Sequence, residues 1–398
     1  MAVVGAGTAG AAAAAFLARA GHAVTVFERV PDPGPVGAGI VLQPTGLAAL
    51  GRLGLRERVV ARGAPLHALR CVASGGRTVF HLPYARLAAG LFGLGTHRGL
   101  LFEALMEAVR DASVDVRCGV AQERIELEGD RPVLVDEGGT RHGPYDLVVV
   151  ADGARSSLRG AVGIPARDRP YPWGALWFVA DDPDGVYREE LFQVVEGTGR
   201  MLGLLPSGLG PGAGDGPGKV SLFWSVRCDL VDDIRRAGLD ALRREVLRYD
   251  PRAAFVLDQI DGADSLLFAR YHDVVLRRFH AGRVVCIGDA AHSMSPQLGQ
   301  GANLALWDAM VLADCLAADD DVPRALATYT RRRKRHVAFY QLMSRWLTPF
   351  FQSDARWLTP LRDFGMALAC RIPPIRTEMI RTMCGIKRGF LRRSLPLP

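Results

Sequence analysis

Ala2-Val-Val-Gly5-Ala-Gly7-Thr-Ala-Gly10 is the stretch that decides the fold of this chain. It predicts a short strand, a tight turn and a helix rich in alanine that runs to about Ala20. In such a unit Gly5 forms the turn, Gly7 lets the backbone approach a pyrophosphate, and Gly10 lets the helix pack close to the strand. Because the amides at the start of the helix favour an anion, the stretch predicts a phosphate-binding turn.

An acidic residue completes this unit. Residues 23–27, Ala-Val-Thr-Val-Phe, predict a second strand, and Glu28 follows directly. A carboxylate at this point accepts hydrogen bonds from a ribose 2′-hydroxyl and repels a 2′-phosphate, which argues against NADP as the resident nucleotide. A GxGxxG motif alone is weak evidence, but here strand, helix, second strand and terminal acid occur in order. The segment therefore predicts a dinucleotide-binding βαβ unit.

A second strand and turn carry another carboxylate. Tyr145-Asp-Leu-Val-Val-Val-Ala151 predicts a buried strand, and it leads into Asp152-Gly-Ala-Arg-Ser-Ser-Leu-Arg159. A buried parallel strand explains the apolar run. It does not explain why Asp, Gly, Ser and Arg follow in this order, which suggests a ligand contact.

A third stretch, Cys286-Ile-Gly-Asp-Ala-Ala-His-Ser-Met-Ser-Pro-Gln-Leu-Gly-Gln-Gly-Ala-Asn303, combines a strand end with a Pro/Gly loop. It turns at Gly288, places Asp289 at the turn, and begins a helix near Gly301. This order suits a ligand with hydroxyls at one end and an electron-rich ring at the other, such as FAD. By itself the stretch could be a glycine-rich loop without a ligand.

Composition and charge limit the classes of function. The net charge is +7, but residues from 331 onward carry 15 Arg/Lys and 3 Asp/Glu, so the preceding part is slightly acidic and needs no nucleic acid. The seven cysteines lack C-x-x-C pairs and histidines at zinc spacing, so we expect no disulfide scaffold and no metal site. No apolar run reaches membrane-spanning length and no charged leader precedes the first strand, which favours a cytoplasmic protein.

The middle of the chain predicts an inserted sheet. Residues 71–83 predict a hairpin, and 171–267 contain aromatic-rich strands, a Gly/Pro loop at 208–218 and a helix around 239–249. We interpret this part as an antiparallel sheet of a substrate domain. Its aromatic residues pack in the core by default, and Trp177, Leu204 and Trp224 are our candidates for substrate contact.

The C-terminal part contains a short internal repeat, because Trp346-Leu-Thr-Pro349 recurs as Trp357-Leu-Thr-Pro360. Each proline is expected to break a helix, which gives short amphipathic segments. Three uses stay open for residues 341–398: a cap over the substrate pocket, a dimer surface, or peripheral contact with a membrane.

Taken together, the three motifs resemble the single-component FAD-dependent monooxygenases, the aromatic hydroxylases similar to para-hydroxybenzoate hydroxylase, over about residues 1–335. The resemblance implies an α/β fold with a Rossmann-like, glutathione-reductase-like FAD-binding domain and an inserted, mainly antiparallel substrate domain. We expect the FAD-binding domain at 1–70, 96–170 and 268–340, the substrate domain at 71–95 and 171–267, and a C-terminal helical cap at 341–398.

The resemblance also implies roles for residues along an extended FAD site. The expected contacts are Gly5, Gly7, Ala9, Gly10, Glu28 and Arg29 with the ADP half; Arg98, at a predicted helix start, with the cofactor; Asp152 and Arg159 near the pyrophosphate; Gly288 and Asp289 with the ribityl chain; and Pro296, Gly299, Gly301, Ala302 and Asn303 with the isoalloxazine. Within the last group, Pro296, Gly299 and Gly301 are the candidates for the catalytic position, whereas His292 is expected to be structural.

One departure from the family pattern is Pro44-Thr45-Gly46, where relatives commonly have Pro-Asn-Ala. Thr45 can still donate a hydrogen bond, so we expect a changed contact and retained binding. No second GxGxxG exists, which is consistent with transient binding of NADH or NADPH in this family.

The implied reaction uses NAD(P)H and dioxygen to hydroxylate an electron-rich aromatic small molecule, such as a phenol, quinolone or polyketide, through a flavin hydroperoxide in bacterial secondary metabolism. The alternatives are an epoxidase or reductase of a lipophilic isoprenoid, or a non-catalytic FAD-binding partner in a biosynthetic complex. The enzyme is expected to be a monomer or a homodimer.

Overall fold

The computed structural model of the protein describes residues 1–161, 163–212, 214, 216–390 and 394–396. Residues 213 and 215 of the predicted Gly/Pro loop, and residues 391–393, 397 and 398 of the predicted cap, lie outside the described residues.

The strands, in chain order, are β1 Ala2–Val4, β2 Thr25–Glu28, β3 Gly39–Leu42, β4 Ala64–Leu66, β5 Ala68–Ala73, β6 Thr78–Pro83, β7 Gly93–His97, β8 Asp115–Cys118, β9 Gln122–Glu128, β10 Arg131–Asp136, β11 Arg141–His142, β12 Val148–Val150, β13 Ala166–Asp181, β14 Glu190–Glu196, β15 Arg200–Gly208, β16 Lys219–Arg227, β17 Leu267–Leu276, β18 His280–Ala281 and β19 Val284–Cys286.

The helices are α1 Thr8–Arg19, α2 Pro44–Arg52, α3 Arg56–Arg62, α4 Arg98–Asp111, α5 Leu158–Ala161, α6 Val231–Ala237, α7 Asp240–Tyr249, α8 Ala254–Asp258, α9 Asp289–His292, α10 Gly301–Ala317, α11 Val322–Phe351, α12 Leu358–Arg371 and α13 Pro373–Met383.

The nucleotide-binding half is built on a sheet with the order β18-β19-β12-β1-β2-β8. Strands β19, β12, β1, β2 and β8 run parallel to one another, which confirms the predicted βαβ unit. Helix α1 buries a run of alanines and packs against α4 and α10, because small side chains let neighbouring helices and the sheet approach closely.

The second large sheet has the order β17-β13-β16-β15-β14-β5-β6, and every pair except β14–β5 is antiparallel. This confirms the predicted inserted antiparallel sheet and the hairpin at 71–83. Three of its strands span the predicted domain boundaries: β5 spans the boundary at 71, β13 the boundary at 171 and β17 the boundary at 267. The division into domains stays a prediction. Helices α6–α8 cover one face of this sheet.

The other face of the second sheet is covered by the C-terminal helices α11–α13. The prediction that Pro349 and Pro360 each end a helix is wrong. Helix α11 continues through Pro349 to Phe351, and Pro360 lies in the first turn of α12, where no intrahelical N–H bond is required. Trp346 therefore lies within α11 and Trp357 immediately before α12, so the two copies of the repeat do not share a helix.

Candidate functional site

Four parallel strands bring the three sequence motifs to one edge of the first sheet. Gly5 follows β1, Glu28 ends β2, Asp152 lies just beyond β12, and Gly288 just beyond β19. Since the strands are parallel neighbours, their carboxyl ends form a single crevice. Segments that are far apart in the sequence therefore line one extended site.

The glycine-rich turn is shaped for close approach of a ligand. A Cβ on Gly10 would lie 1.8 Å from the carbonyl oxygen of Gly5, so only glycine lets α1 pack here. A Cβ on Gly7 would meet no atom within 4 Å, and Gly7, the N-cap of α1, makes no side-chain hydrogen bond to the helix amides. Glu28 lies beside this turn, where its carboxylate accepts hydrogen bonds from the backbone N–H groups of Ala6 at 2.8 Å and Val30 at 2.9 Å.

Asp152 follows β12, between the turns after β1 and β19, and carries a buried polar atom. Its Oδ1 has no hydrogen-bond partner among the described residues, and burial raises the pKa of the carboxyl group. A buried acceptor without a partner is costly, which fits a ligand group in this position. Arg159 instead donates to Ala154 O at 2.7 Å and forms an ion pair with Asp168 of β13. Its side chain thus ties the turn after β12 to the second sheet.

A buried charge network supports the turn at Gly288. Asp308 of α10 accepts hydrogen bonds from the backbone N–H of Gly288 at 2.9 Å and from His292 Nε2 at 2.5 Å, and it pairs with Arg333 Nε at 2.6 Å. Burial alone would raise the pKa of Asp308, but His292 and Arg333 hold it well below its usual range. Asp289, the first residue of α9, is exposed next to this turn. His292 thus has the structural environment expected from the sequence.

Loop 296–303 leads from this turn into α10. Residues Pro296–Leu298 form one 3₁₀ turn, Gly299 is left-handed with φ 59°, and α10 begins at Gly301 without a side-chain cap. The Asn303 amide fixes the loop, because Nδ2 donates to Gly299 O at 2.8 Å and Oδ1 accepts from the backbone N–H of Gln43 at 2.7 Å. The first amides of α10 therefore remain available to a ligand.

A cavity of about 380 Å³ lies on the other side of this loop, between the second sheet and α11–α13. Its wall is mostly apolar and includes five methionines and several large hydrophobic side chains. The lining residues are Leu69, Phe80, Leu82, Gln193, Met201, Gln297, Leu298, Met343, Trp346, Leu347, Phe350, Phe351, Leu361, Arg362, Gly365, Met366, Ala369, Ile375, Met379, Thr382 and Met383. Gln297 and Leu298 place the cavity in direct contact with loop 296–303.

Comparison with known proteins agrees with this geometry. The family model described as an FAD binding domain matches residues 1–341. The chain is 31% identical to 2-heptyl-3-hydroxy-4(1H)-quinolone synthase of Pseudomonas aeruginosa over 86% of this chain and 87% of that protein. It is 30% identical to aurachin C monooxygenase/isomerase of Stigmatella aurantiaca, over 82% and 83% of the two chains.

The chain belongs to the single-component FAD-dependent monooxygenases. The fold agrees, since the crystal structure of Klebsiella pneumoniae HpxO complexed with FAD and uric acid superposes with a TM-score of 0.79, at 23% identity, over 96% of each chain.

The residues of this monooxygenase fit FAD. The open space at Gly7 and the uncapped start of α1 suit the pyrophosphate, and Glu28 lies at the end of β2 where a ribose would be held. The unpartnered Asp152 Oδ1 lies between this end and the exposed Asp289. Arg98 is exposed, and its aliphatic part packs against Gly37. A Cβ added to Gly37 would lie 3.1 Å from Arg98 Cδ. The individual contacts predicted for Ala9, Arg29 and the other site residues remain predictions.

The departure at Thr45 and Gly46 has a structural counterpart. Thr45 is buried, and its Oγ1 donates to Cys384 O at 3.4 Å, so it contacts the turn after α13. A Cβ on Gly46 would lie 2.2 Å from Asn303 Oδ1. The small residue at 46 therefore makes room for the amide that fixes loop 296–303.

The structure does not bring two of the predicted substrate residues to the cavity. Leu204 and Trp224 are buried under α6–α8, on the opposite face of the second sheet. Successive strand residues alternate between faces, so Met201 of β15 and Phe223 of β16 point to the cavity side instead. Trp177 is on the cavity side and contacts the Phe223 ring at a centroid distance of 5.0 Å, but it does not line the cavity.

Sequence reasoning left a cap over the substrate pocket open as one use of residues 341–398, but it did not identify the methionines of these helices as a group. Met343, Met366, Met379 and Met383 lie on three helices and meet only in the folded protein. A cluster of four methionines within 41 residues is a compositional signal for an adaptable apolar surface.

Proposed function

We propose that this monooxygenase hydroxylates an electron-rich aromatic or bicyclic aromatic molecule that carries an apolar substituent, in bacterial secondary metabolism. It uses NADH or NADPH as a transient electron donor and dioxygen as the oxidant, and it works in the cytoplasm as a monomer or a homodimer.

The cavity against loop 296–303 is the observation that carries this proposal. A volume of about 380 Å³ lies in the range of small-molecule sites, and its wall is mostly apolar. The names of the relatives, a 2-heptyl-quinolone synthase and an aurachin C monooxygenase, support a ring with a substituent of this kind.

No carboxylate or histidine is among the described residues that line the cavity. Among the described residues of the cavity wall, Arg362 is the one charged group, and it is bound to Asp363 and to the carbonyl oxygen of Phe350. Ring activation by a protein base is therefore not supported. A substrate whose own hydroxyl or enol ionises needs no such base, so quinolones and phenols suit this cavity.

FAD, when bound and reduced, supplies the activation of dioxygen. The chain holds and shields the reacting groups. The amides and dipole of α10 face the site at Gly301 and favour negative charge there. Loop 296–303 separates the nucleotide crevice from the cavity, and the apolar wall excludes water and positions the ring.

The test is turnover by the FAD-loaded protein with a panel of simple phenols, indoles, 4-quinolones and 2-alkyl-4-quinolones. Substrate-stimulated oxidation of NAD(P)H and incorporation of one labelled oxygen atom from dioxygen into the ring are expected. An oxirane or a reduced isoprenoid product would replace this proposal with the epoxidase or reductase alternative. Tight FAD binding without turnover of any panel member would favour a non-catalytic partner.

A further inference from the structure

Helix α12 carries large apolar side chains on the side that faces solvent. Trp357, just before the helix, and Leu361, Phe364 and Leu368 within it are 73%, 56%, 62% and 61% exposed. Their spacing of four, three and four residues places them along one side of the helix, and we call them the apolar stripe. The other side of α12 carries Met366 and Ala369, which line the cavity, and Leu358 is buried beside them. A helix that is apolar on two sides is normally covered on both.

The apolar stripe is continuous with the mouth of the cavity. Leu361 belongs to the stripe and also lines the cavity. Trp346 of α11 and Ile375 of α13 line the cavity too, and they are 58% and 42% exposed. An apolar molecule at this surface can therefore pass into the cavity along a continuous apolar path.

Positive charge brackets the apolar stripe. Arg356 precedes Trp357, and Arg371 follows Leu368 at the end of α12, and both are exposed. The acidic side chains of this region are paired: Asp354 with Arg227, Asp363 with Arg362 and Arg77, and Glu378 with Lys387. The Arg77 guanidinium lies 4.2 Å from the centre of the Phe364 ring and adds positive charge at the stripe. A second copy of this chain packed on the stripe would place arginine near arginine in either helix orientation. An anionic surface would instead neutralise both ends.

We propose that the apolar stripe docks on an anionic lipid surface and that an apolar aromatic substrate enters the cavity from the lipid. Aromatic and aliphatic side chains insert at the boundary of the headgroups, and the arginines contact lipid phosphates. None of the helices in the described part of the chain has the length and apolar character to cross a bilayer, so contact through these helices is peripheral. The proposed docking depends only on the exposed residues of this surface, whereas the proposed delivery of substrate rests on the proposed function.

Co-sedimentation with vesicles tests the docking. The FAD-loaded protein is expected to sediment with mixed phosphatidylcholine–phosphatidylglycerol vesicles and much less with phosphatidylcholine alone. The Phe364→Ser/Leu368→Ser variant, and separately Arg356→Glu/Arg371→Glu, should partition about tenfold more weakly. Leu127→Ser/Leu267→Ser is the matched control, because both leucines are exposed away from the stripe, and it should sediment like the parent.

Two results overturn the docking: no binding of the parent to anionic vesicles, or equal binding of the stripe variant and the parent. Light scattering tests the other occupant, a second copy of the chain. If the parent is a dimer that does not bind vesicles, and the Phe364→Ser/Leu368→Ser variant is a monomer, the stripe is an interface between copies.

Kinetics test the delivery. With a vesicle-dissolved 2-alkyl-4-quinolone, the stripe variant should show a KM raised several-fold and an unchanged kcat, and with a water-soluble phenol neither value should change. An unchanged KM for the vesicle-dissolved substrate would refute delivery from lipid. The absence of any hydroxylation by the parent in solution would refute the proposed function and leave the sedimentation result valid.

Discussion

The side-chain Oδ1 of Asn303 accepts a hydrogen bond from the backbone N–H of Gln43 at 2.7 Å, which joins the start of α10 to the end of β3. The same amide donates from Nδ2 to Val41 O at 3.0 Å and to Gly299 O at 2.8 Å. Asn303 is buried, so these bonds are shielded from water. One side chain therefore determines how loop 296–303 lies between the nucleotide crevice and the cavity.

Replacing Asn303 by alanine should loosen this loop. Three backbone groups would lose a buried partner, so we expect unfolding free energy to fall by about 2–4 kcal/mol, together with weaker FAD binding. Urea unfolding of the FAD-free protein and fluorescence titration with FAD measure the two effects. An unchanged FAD affinity in a destabilised variant would show that the loop does not contact the flavin.

Substitutions at Gly7 and Gly10 should distinguish an effect on ligand binding from an effect on helix packing. A Cβ on Gly7 meets no atom within 4 Å and its φ of −67° suits alanine, so Gly7→Ala should leave the stability of the FAD-free protein unchanged and weaken FAD binding at least about tenfold. A Cβ on Gly10 would lie 1.8 Å from Gly5 O, so Gly10→Ala should destabilise the protein itself. Thermal unfolding with and without FAD checks both, and equal effects of the two variants would contradict the assignment of the pyrophosphate to Gly7.

Local patterns predicted the nucleotide half of the site because each motif is a strand followed by its own turn. Parallel pairing then brings Glu28, Asp152 and Gly288 to one edge without further information. The alternation of β15 and β16 shows which residues share a face, but not which face meets the cavity. Leu204 and Trp224 lie on the face opposite the cavity, and their contact with substrate stays a prediction.

The cavity itself depends on contacts between distant parts of the chain. Its walls come from β5, β6, β14 and β15 on one side and from α11–α13 on the other. The predicted break at Pro360 was misplaced because a proline is tolerated in the first turn of a helix. Pro349 lies inside α11, two residues before its last residue. The sequence left three uses open for this segment, and tertiary packing is what places it over the cavity.

Asp308 is expected to be the strongest stabilising carboxylate on α10. In Asp308→Asn, Arg333 would be left buried without its counter-ion, so the unfolding free energy should fall by about 3–5 kcal/mol. Asp314→Asn on the same helix is the matched control. Its ion pair with Arg52 is exposed, so its loss should cost less than about 1 kcal/mol. Similar losses in urea unfolding would contradict the assigned role of the buried network.

The pH dependence of stability should contain a contribution from His336. Its Nε2 donates to Gly385 O at 2.7 Å, and its Nδ1 accepts from Arg333, so the ring is held neutral. Burial, followed by the Arg333 charge, holds the pKa of His336 well below its usual 6.5. The unfolded chain therefore binds this proton first. The stabilising effect of the neutral ring is complete above about pH 6.5 and is lost as the pH falls, at up to about 1.4 kcal/mol per pH unit.

His336→Gln isolates this contribution, because glutamine can make both hydrogen bonds and does not titrate. Between pH 6.5 and about pH 5, the unfolding free energy of the variant should fall less steeply than that of the parent. Denaturant unfolding at a series of pH values measures the two slopes. Parallel curves would show that His336 takes up its proton equally in the folded and unfolded states.

Shortening the cavity should select against long substituents. Ala369 of α12 lines the cavity, so Ala369→Phe should lower kcat/KM about tenfold for a 2-alkyl-4-quinolone with a long chain and leave the unsubstituted 4-quinolone almost unaffected. Ala367 on the same helix is partly exposed and does not line the cavity, so Ala367→Phe is the control and should change neither value. If Ala369→Phe slows both substrates equally, the ring and the chain do not occupy the cavity in the proposed order. If it slows neither, the substrate binds elsewhere and α12 does not form the wall of the active site.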